Sequence, residues 1–285
     1  MPQITNEYQK KVLDDLKNYD GISHPVKAAL WERLLIHKVP AADLHPNPVD
    51  EFSDPEIGPN YTIVKNYFEM IENIKRHPGA EPLERIVVEK MSVGGYMILN
   101  GHHRWLAASR YKDMKVGVDI VNVTQPQDIK NAIEKSNNIY CAAIDLDEVL
   151  MCDGNETGRE LIFPLKLFYP GFIRKNSSEL IKELQHKGFD VWVYTGSYHS
   201  AEHIKALLGF HNIHVTGIIN GVKSKKKPGS LFESFKKKYK VLTHIDTESV
   251  TWVDVNTKDY DIIEVSSGNE WANQVANKLK ERLKQ

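Results

Sequence analysis

Apolar residues recur along this chain with two different rhythms, and their arrangement splits it into two halves. In the opening stretch Tyr8, Val12, Leu13 and Leu16 fall on one helical face, which predicts a helix from about Asn6 to Asn18 closed by Asp20-Gly21. A second helix is expected after Ser23-His24-Pro25, carrying Val26, Ala29, Leu30, Leu34 and Leu35. A short strand over His37 to Pro40, a loop rich in proline, glycine and acids from His45 to Asn60, and a helix through Val64, Tyr67, Phe68, Ile71 and Ile74 follow. Arg85 to Glu89 and Tyr96 to Leu99 read as strands joined by a turn at Gly94-Gly95, then comes a helix from about His103 to Tyr111 and a strand from Gly117 to Val121.

From about Asn137 the pattern becomes a regular alternation. Strands are expected at Tyr140 to Ile144, Asp190 to Tyr194, His214 to Ile219, Val241 to Ile245 and Asp261 to Val265. Helices are expected at Ser177 to Lys187, His199 to Leu208 and Pro228 to Tyr239, with a last one from Asn269. Such alternation implies an α/β architecture with a mostly parallel, doubly wound sheet covered by helices on both faces. The expected organisation is therefore an α+β domain over residues 1–124, a helical connector over 125–138, and the α/β domain over 139–285.

Composition changes this picture little. The chain has 285 residues, 41% of them hydrophobic and 26% charged, the balance of a globular protein. Its 37 basic and 38 acidic side chains nearly cancel, so no global field favours nucleic acid. Two cysteines, Cys141 in an apolar run and Cys152, do not form a C-x-x-C pair and suggest a reducing compartment. No signal peptide and no run near the ~20 apolar residues of a membrane span is visible, so the expectation is a cytoplasmic protein without a membrane partner.

The chemistry of the second half lies where its strands end, since open parallel sheets bind ligands at their carboxyl edge. The strand Tyr140 to Ile144 runs into Asp145-Leu146-Asp147, and in an extended chain those two carboxylates would point the same way. The strand Asp190 to Tyr194 runs into Thr195-Gly196-Ser197, a hydroxyl and free N–H groups expected at a helix start, suited to phosphate oxygens. A lysine cluster, Lys223 to Lys227, meets Pro228, and the strand Val241 to Ile245 ends at Asp246-Thr247-Glu248. An acid at one strand end is usually a cap, but Asp-x-Asp, Thr, Lys and Asp in that order is harder to reach by chance.

Over about Tyr140 to Leu283 these four motifs resemble the haloacid dehalogenase superfamily. The resemblance implies a Rossmann-like domain that transfers phosphoryl groups with Mg2+: Asp145 as nucleophile, Asp147 as acid and base, Thr195 as phosphoryl holder and Lys227, or next Lys226, as charge neutraliser. Asp145, Asp246 and the carbonyl of Asp147 would hold the metal. The sequence departs from the family at Glu148-Val149, where glycine-threonine is usual, and at Thr247, where a second aspartate often stands. Spacing leaves room only for a flap of about twenty residues between Val149 and Phe172, not a large cap. His199-Ser200-Ala201-Glu202-His203 also fits a zinc-protease pattern, H-x-x-E-H, but has no third ligand in sight.

In the first half, Tyr96 to Leu99 leads into Asn100-Gly101-His102-His103-Arg104, placing backbone N–H groups and a guanidinium at a helix start where they can grip phosphates. With Val39-Pro40 and Pro46-Asn47-Pro48, this segment is similar to the ParB/sulfiredoxin superfamily over roughly His37 to Val121. That likeness implies a nucleotide-binding site at Gly101, His102, His103 and Arg104, with ATP or another nucleotide as ligand. Sulfiredoxins need a cysteine in the box, and none precedes Cys141 here. Chromosome-partition proteins carry a second arginine-rich box and a helix-turn-helix, which this chain replaces with the α/β half. The free-serine kinases share the Gly-His-His-Arg segment and use an acidic loop residue, and Asp50, Glu51, Asp54 and Glu56 lie in the corresponding loop.

Together the resemblances imply a phosphatase fused to a nucleotide-binding module that a kinase reading also fits. Its substrate would be a phosphorylated small molecule or a nucleic-acid or protein end. The alternative is a nucleotide-responsive regulator that binds DNA or a partner and carries a vestigial phosphatase half.

Overall fold

The computed structural model describes residues 2–19, 23–77, 79–152, 158–221, 229–266 and 268–284. The chain is a mixed α/β protein that divides into two compact units, Met1–Asn122 and Val123–Gln285.

The first unit opens with α1 (Pro2–Tyr19) and the short α2 (Leu30–Leu35). The second helix is shorter than its apolar residues suggested. Pro25 forms a bridge to Met91, Val26 N–H donates to the Lys90 carbonyl, and Asn122 holds both the N–H and the carbonyl of Ala28. These bonds keep residues 24–29 extended until Ala29 caps the helix, its N–H given to Glu32. Then follow β1 (Lys38–Pro40), β2 (Leu44–His45), α3 (Tyr61–Arg76), β3 (Ile86–Lys90), β4 (Tyr96–Asn100), α4 (His102–Ala108) and β5 (Lys115–Ile120). The five strands form one mixed sheet in the order β1-β5-β3-β4-β2. Val88, Ile98 and Val118 alternate inward from three adjacent strands and meet Trp105 and Leu106 of α4 in a buried core.

The second unit begins with α5 (Pro126–Lys135), which sequence reading treated as a connector. Its Ile129 and Ile133 instead pack with Cys141, Trp192, Phe235 and Tyr239, so the helix is part of the unit's core. After it come β6 (Tyr140–Asp145), β7 (Met151–Cys152), β8 (Gly158–Glu160), β9 (Phe172–Arg174), α6 (Ser177–His186), β10 (Phe189–Tyr194), α7 (Ala201–Phe210) and β11 (Gly217–Ile219). The unit closes with α8 (Gly229–Lys238), β12 (Val241–Ile245), β13 (Ser249–Asp254), β14 (Tyr260–Glu264) and α9 (Trp271–Arg282).

The large sheet runs β11-β10-β6-β12-β13-β14. Its first four strands are parallel, as expected, but β13, which the sequence pattern did not show, runs antiparallel to both of its neighbours, β12 and β14. Ser249 to Asp254 buries Val250 and Trp252 alternately, so this polar-looking stretch turns straight back on β12 instead of leading to a helix. Side chains of β6 and β10 alternate between two cores. Ala142, Ile144, Val191 and Val193 face a cluster that includes Leu180, Ile204 and Val275, while Cys141 and Trp192 face α5 and α8. Trp192 lies so close to Gly217 of the paired strand that any Cβ there would fall about 2.2 Å from its ring. The region expected to form a flap is a small sheet of its own, ordered β7-β9-β8.

One buried carboxylate ties several of these elements together. Asp190, at the start of β10, accepts hydrogen bonds from Ser136 Oγ (2.8 Å), Asn138 Nδ2 (2.9 Å) and the Tyr239 hydroxyl (2.8 Å), and that hydroxyl accepts one from Trp192 Nε1 (3.1 Å). Burial, with Asp190 beside it, pushes the Tyr239 phenol up, so it stays neutral and donating. Replacing Asp190 by Ala removes the acceptor of the buried Tyr239 hydroxyl and of the half-buried Ser136 and Asn138 donors. Asp190→Ala is expected to cost about 3 kcal/mol or more of unfolding free energy and Asp190→Asn clearly less, as measured by urea denaturation.

Candidate functional site

The second unit's candidate site is built on strand ends. In the ladder Tyr194 of β10 lies beside Asp145 of β6, and Ile245 of β12 beside Ile144, so Asp145, Thr195 and Asp246 all emerge at one edge of three neighbouring parallel strands. The electrostatics agree. Burial comes first, then the Asp145, Asp246 and Glu148 carboxylates, in pushing the Tyr194 phenol up. That hydroxyl meets His244 Nε2 across β6, where Ala143 is small enough to let them approach. Neither Tyr194 nor His244 stood out in the sequence, since each reads as an ordinary strand position until the register is known.

Asp145 and Asp147 do not project side by side as an extended chain would require. The chain leaves β6 in a single π-helical turn, Leu146–Leu150, capped by Asp145, whose Oδ1 accepts from Glu148 N–H at 2.8 Å. The turn swings Asp147 toward the neighbouring strand. There its Oδ2 accepts hydrogen bonds from the Thr195 hydroxyl and, at 3.1 Å, from Ser197 Oγ. Thr195 is fully buried and its Oγ1 also accepts from Ser197 N–H (2.9 Å). It does not open a helix, because α7 begins only at Ala201. Thr195 thus grips Asp147 and shapes the loop around it.

Asp246 is held from the backbone side. Its N–H donates to Ser249 O (2.9 Å), its carbonyl accepts from Trp271 Nε1 (2.9 Å), and its Oδ1 accepts from Thr247 N–H (2.6 Å). Arg174 of β9 lies over the Trp271 ring at 5.3 Å and donates from Nε to Val149 O (2.9 Å), inside the turn that follows Asp145. One cation therefore joins the two carboxylate-bearing ends through the flap.

Among the described residues no group of three or more His, Cys, Asp or Glu side chains could hold a metal ion. Asp147 Oδ2 is taken up by Thr195 and Ser197, and Asp145 and Asp246 are the acids that the strand ends bring to the same edge. The Oδ2 of each lacks a hydrogen bond from the described residues, and two carboxylates with nearby backbone carbonyls suit a hard cation such as Mg2+. Lys227 and Lys226 lie outside the described residues. His199 sits before α7 and its ring stacks 5.9 Å from that of His203, so the zinc-like spacing does not come from one helix face.

In the first unit β4 delivers Gly101 in a left-handed conformation, φ 101°, as the cap of α4. A Cβ at Gly101 would lie about 3.2 Å from the Arg104 guanidinium, which folds back over the turn. Arg104 is buried. It donates from Nη1 to Arg85 O (2.8 Å) and pairs with Glu84 (3.1 Å), while its buried Nε has no hydrogen-bond partner among the described residues. His102 Nε2 accepts from Asn47 N–H (3.1 Å) and His103 Nε2 from Asn60 N–H (3.0 Å), so the two imidazoles pin both ends of the acidic loop to the box. Phe52 packs against both rings. Asp50 lies 4.0 Å from His102 and accepts from Phe52 N–H, while Asp54 accepts from Glu56 N–H, so both also serve as turn caps.

Residues 32–137, from α2 through α5, match the family model of the ParB N-terminal domain. The first unit is ParB-like. The match contains the Gly101–Arg104 box and the loop that the histidines pin. No curated protein matches the chain, and no solved structure does. No helix among the described residues is long and apolar enough to cross a membrane.

The pinned loop carries a pH dependence. Burial lowers the His103 pKa below its usual 6.5, outweighing the Asp50 charge that raises it. The neutral ring is the form that accepts from Asn60, so its stabilisation is complete above pH 6.5 and is lost as pH falls below that value. Melting temperatures at pH 7.5 and 5.5 are expected to differ more for the natural chain than for His103→Gln, whose amide oxygen accepts at either pH.

Proposed function

We propose that the second unit is a Mg2+-dependent phosphohydrolase of the haloacid dehalogenase type, working through Asp145, and that the first unit binds a nucleotide. The observation that carries the first part is the meeting of Asp145, Asp246 and the Thr195–Asp147 pair at the ends of three adjacent parallel strands. In this reading the Asp145 carboxylate attacks the phosphorus, and the leaving oxygen takes a proton from Asp147. Asp147 then removes a proton from the water that hydrolyses the aspartyl-phosphate. Thr195 and Ser197 fix the Asp147 carboxylate in the orientation this needs. Asp145, Asp246 and the Asp147 carbonyl would hold Mg2+, which supplies charge neutralisation for the phosphoryl oxygens. A lysine of the Lys223 to Lys227 cluster is the candidate for the remaining positive charge.

Nucleotide binding rests on the ParB N-terminal match and on the Gly101–Arg104 turn. A glycine cradle that a Cβ would fill and a buried guanidinium nitrogen without a hydrogen-bond partner among the described residues suit a phosphate that would replace Glu84 on Arg104. The acids of the pinned loop, Asp50 nearest the box, extend this to transfer of a phosphate onto a hydroxyl. The same match favours a second reading, a nucleotide-responsive DNA- or partner-binding regulator in which the Asp145 site is silent.

Two measurements separate these readings. Asp145→Asn is expected to reduce Mg2+-dependent phosphate release from a panel of phosphorylated metabolites and nucleic-acid ends by roughly 1000-fold or more with the fold intact, and chelation should do the same. No phosphate release by the natural chain on any of them would favour the regulator. Calorimetry with ATP, ADP and CTP should detect binding that Arg104→Ala weakens at least tenfold, without altering hydrolysis of a small test phosphate. Absence of binding by the intact chain would sink the nucleotide reading.

A further inference from the structure

The short helix α2 is turned inside out. Four of its six side chains are large and apolar, and all four face solvent: Leu30 at 61% exposure, Trp31 at 59%, Leu34 at 56% and Leu35 at 73%. Its acid is the residue that points inward. Glu32 is buried, receives Lys90 Nζ at 2.5 Å and caps the helix through Ala29 N–H at 2.7 Å. The Lys90 hydrogen bond and then the Ala29 N–H hold its pKa below the usual carboxylate value, outweighing the burial that raises it. The segment before the helix is laced to Lys90 and Asn122, and Ile36 N–H closes the helix on Glu32 O. Rotating α2 to hide its leucines would strand Glu32 and Lys90 without each other, so the orientation is fixed by bonds and not by chance.

We propose that this face of α2 is the contact through which two copies of the chain associate. Four side chains exposed to this degree present roughly 500 Å² of apolar surface, at the upper end of what a lone monomer carries without a use for it. Set against a copy of itself, the face buries on the order of 1,000 Å² in total, the threshold a specific interface has to clear. The geometry suits a twofold pairing. Leu30 with Leu34 and Trp31 with Leu35 form two ridges at four-residue spacing, and antiparallel helices bearing identical ridges can interdigitate about a single axis. With the acid turned away, no like charges from Glu32 meet across that axis. The exposed Trp31 at the centre is the kind of residue that dominates interface energies.

The test is mass in solution. Light scattering at roughly 100 μM, a concentration that captures weak dimers, is expected to give twice the chain's 32.6 kDa. Trp31→Glu and, separately, Leu35→Gln should each raise the dissociation constant by about 100-fold or more, with circular dichroism unchanged because both side chains lie outside the core. Phe168→Glu, at an exposed apolar position of the second unit, should leave the dimer intact. A natural chain that stays monomeric at that concentration overturns the proposal and leaves the face to a different protein. A dimer that survives both α2 substitutions overturns it as well.

Discussion

Parallel register is the constraint on which the second unit's candidate site depends. Backbone pairing between β10, β6 and β12 leaves no freedom in which residues end together: once Tyr194 lies beside Asp145 and Ile245 beside Ile144, the next residues, Thr195 and Asp246, must flank the same edge. Carboxylates held there by ladder hydrogen bonds cannot relax apart to relieve their repulsion. Burial first, and then those carboxylates with Glu148, push the Tyr194 phenol up. A hard cation or a phosphoryl group relieves the repulsion, and that is why crowding of this kind reads as preparation for a ligand.

The first unit solves the related problem of holding a loop against the Gly101–Arg104 turn without burying unpaired backbone. His102 and His103 accept from Asn47 and Asn60, and Phe52 fills the space between the two rings. Neutral imidazoles do this without adding a positive charge that would compete with Arg104. The guanidinium itself is held at Nη1 by both the Arg85 carbonyl and the carboxylate of Glu84, whose side chain is exposed.

Much of this was legible in the sequence, for definite reasons. The strands of the second unit announced themselves because buried parallel strands are continuous apolar runs, and the acids or hydroxyls at their ends were conspicuous by contrast. The Gly101–Arg104 turn was legible because a glycine and an arginine at a strand-to-helix junction have few structural uses. What escaped depended on contacts distant in sequence. Asp147 was expected to extend from the strand, but the buried Leu146, Val149 and Leu150 pull the chain into a π turn instead. The strand β13 escaped because Ser249, Thr251 and Asp254 dilute its alternation. Helix α5 looked like a connector because its apolar face is only Ile129, Ala132 and Ile133, and the core they join is assembled from residues up to a hundred positions away.

The flap shows how the two carboxylate ends are kept in step. Asp145 and Asp246 belong to different strands, and the register alone fixes their Cα atoms but not the loops that follow. Arg174 spans the gap: its Nε binds Val149 O in the turn behind Asp145, and its guanidinium rests on Trp271, which in turn holds the Asp246 carbonyl. The flap is thereby tied to the loops behind both acids. The exposed Ile162, Phe163, Leu167 and Phe168 between β8 and β9 give the flap an apolar outer surface. In the proposed phosphohydrolase, that surface would help to keep water from the phosphorylated Asp145.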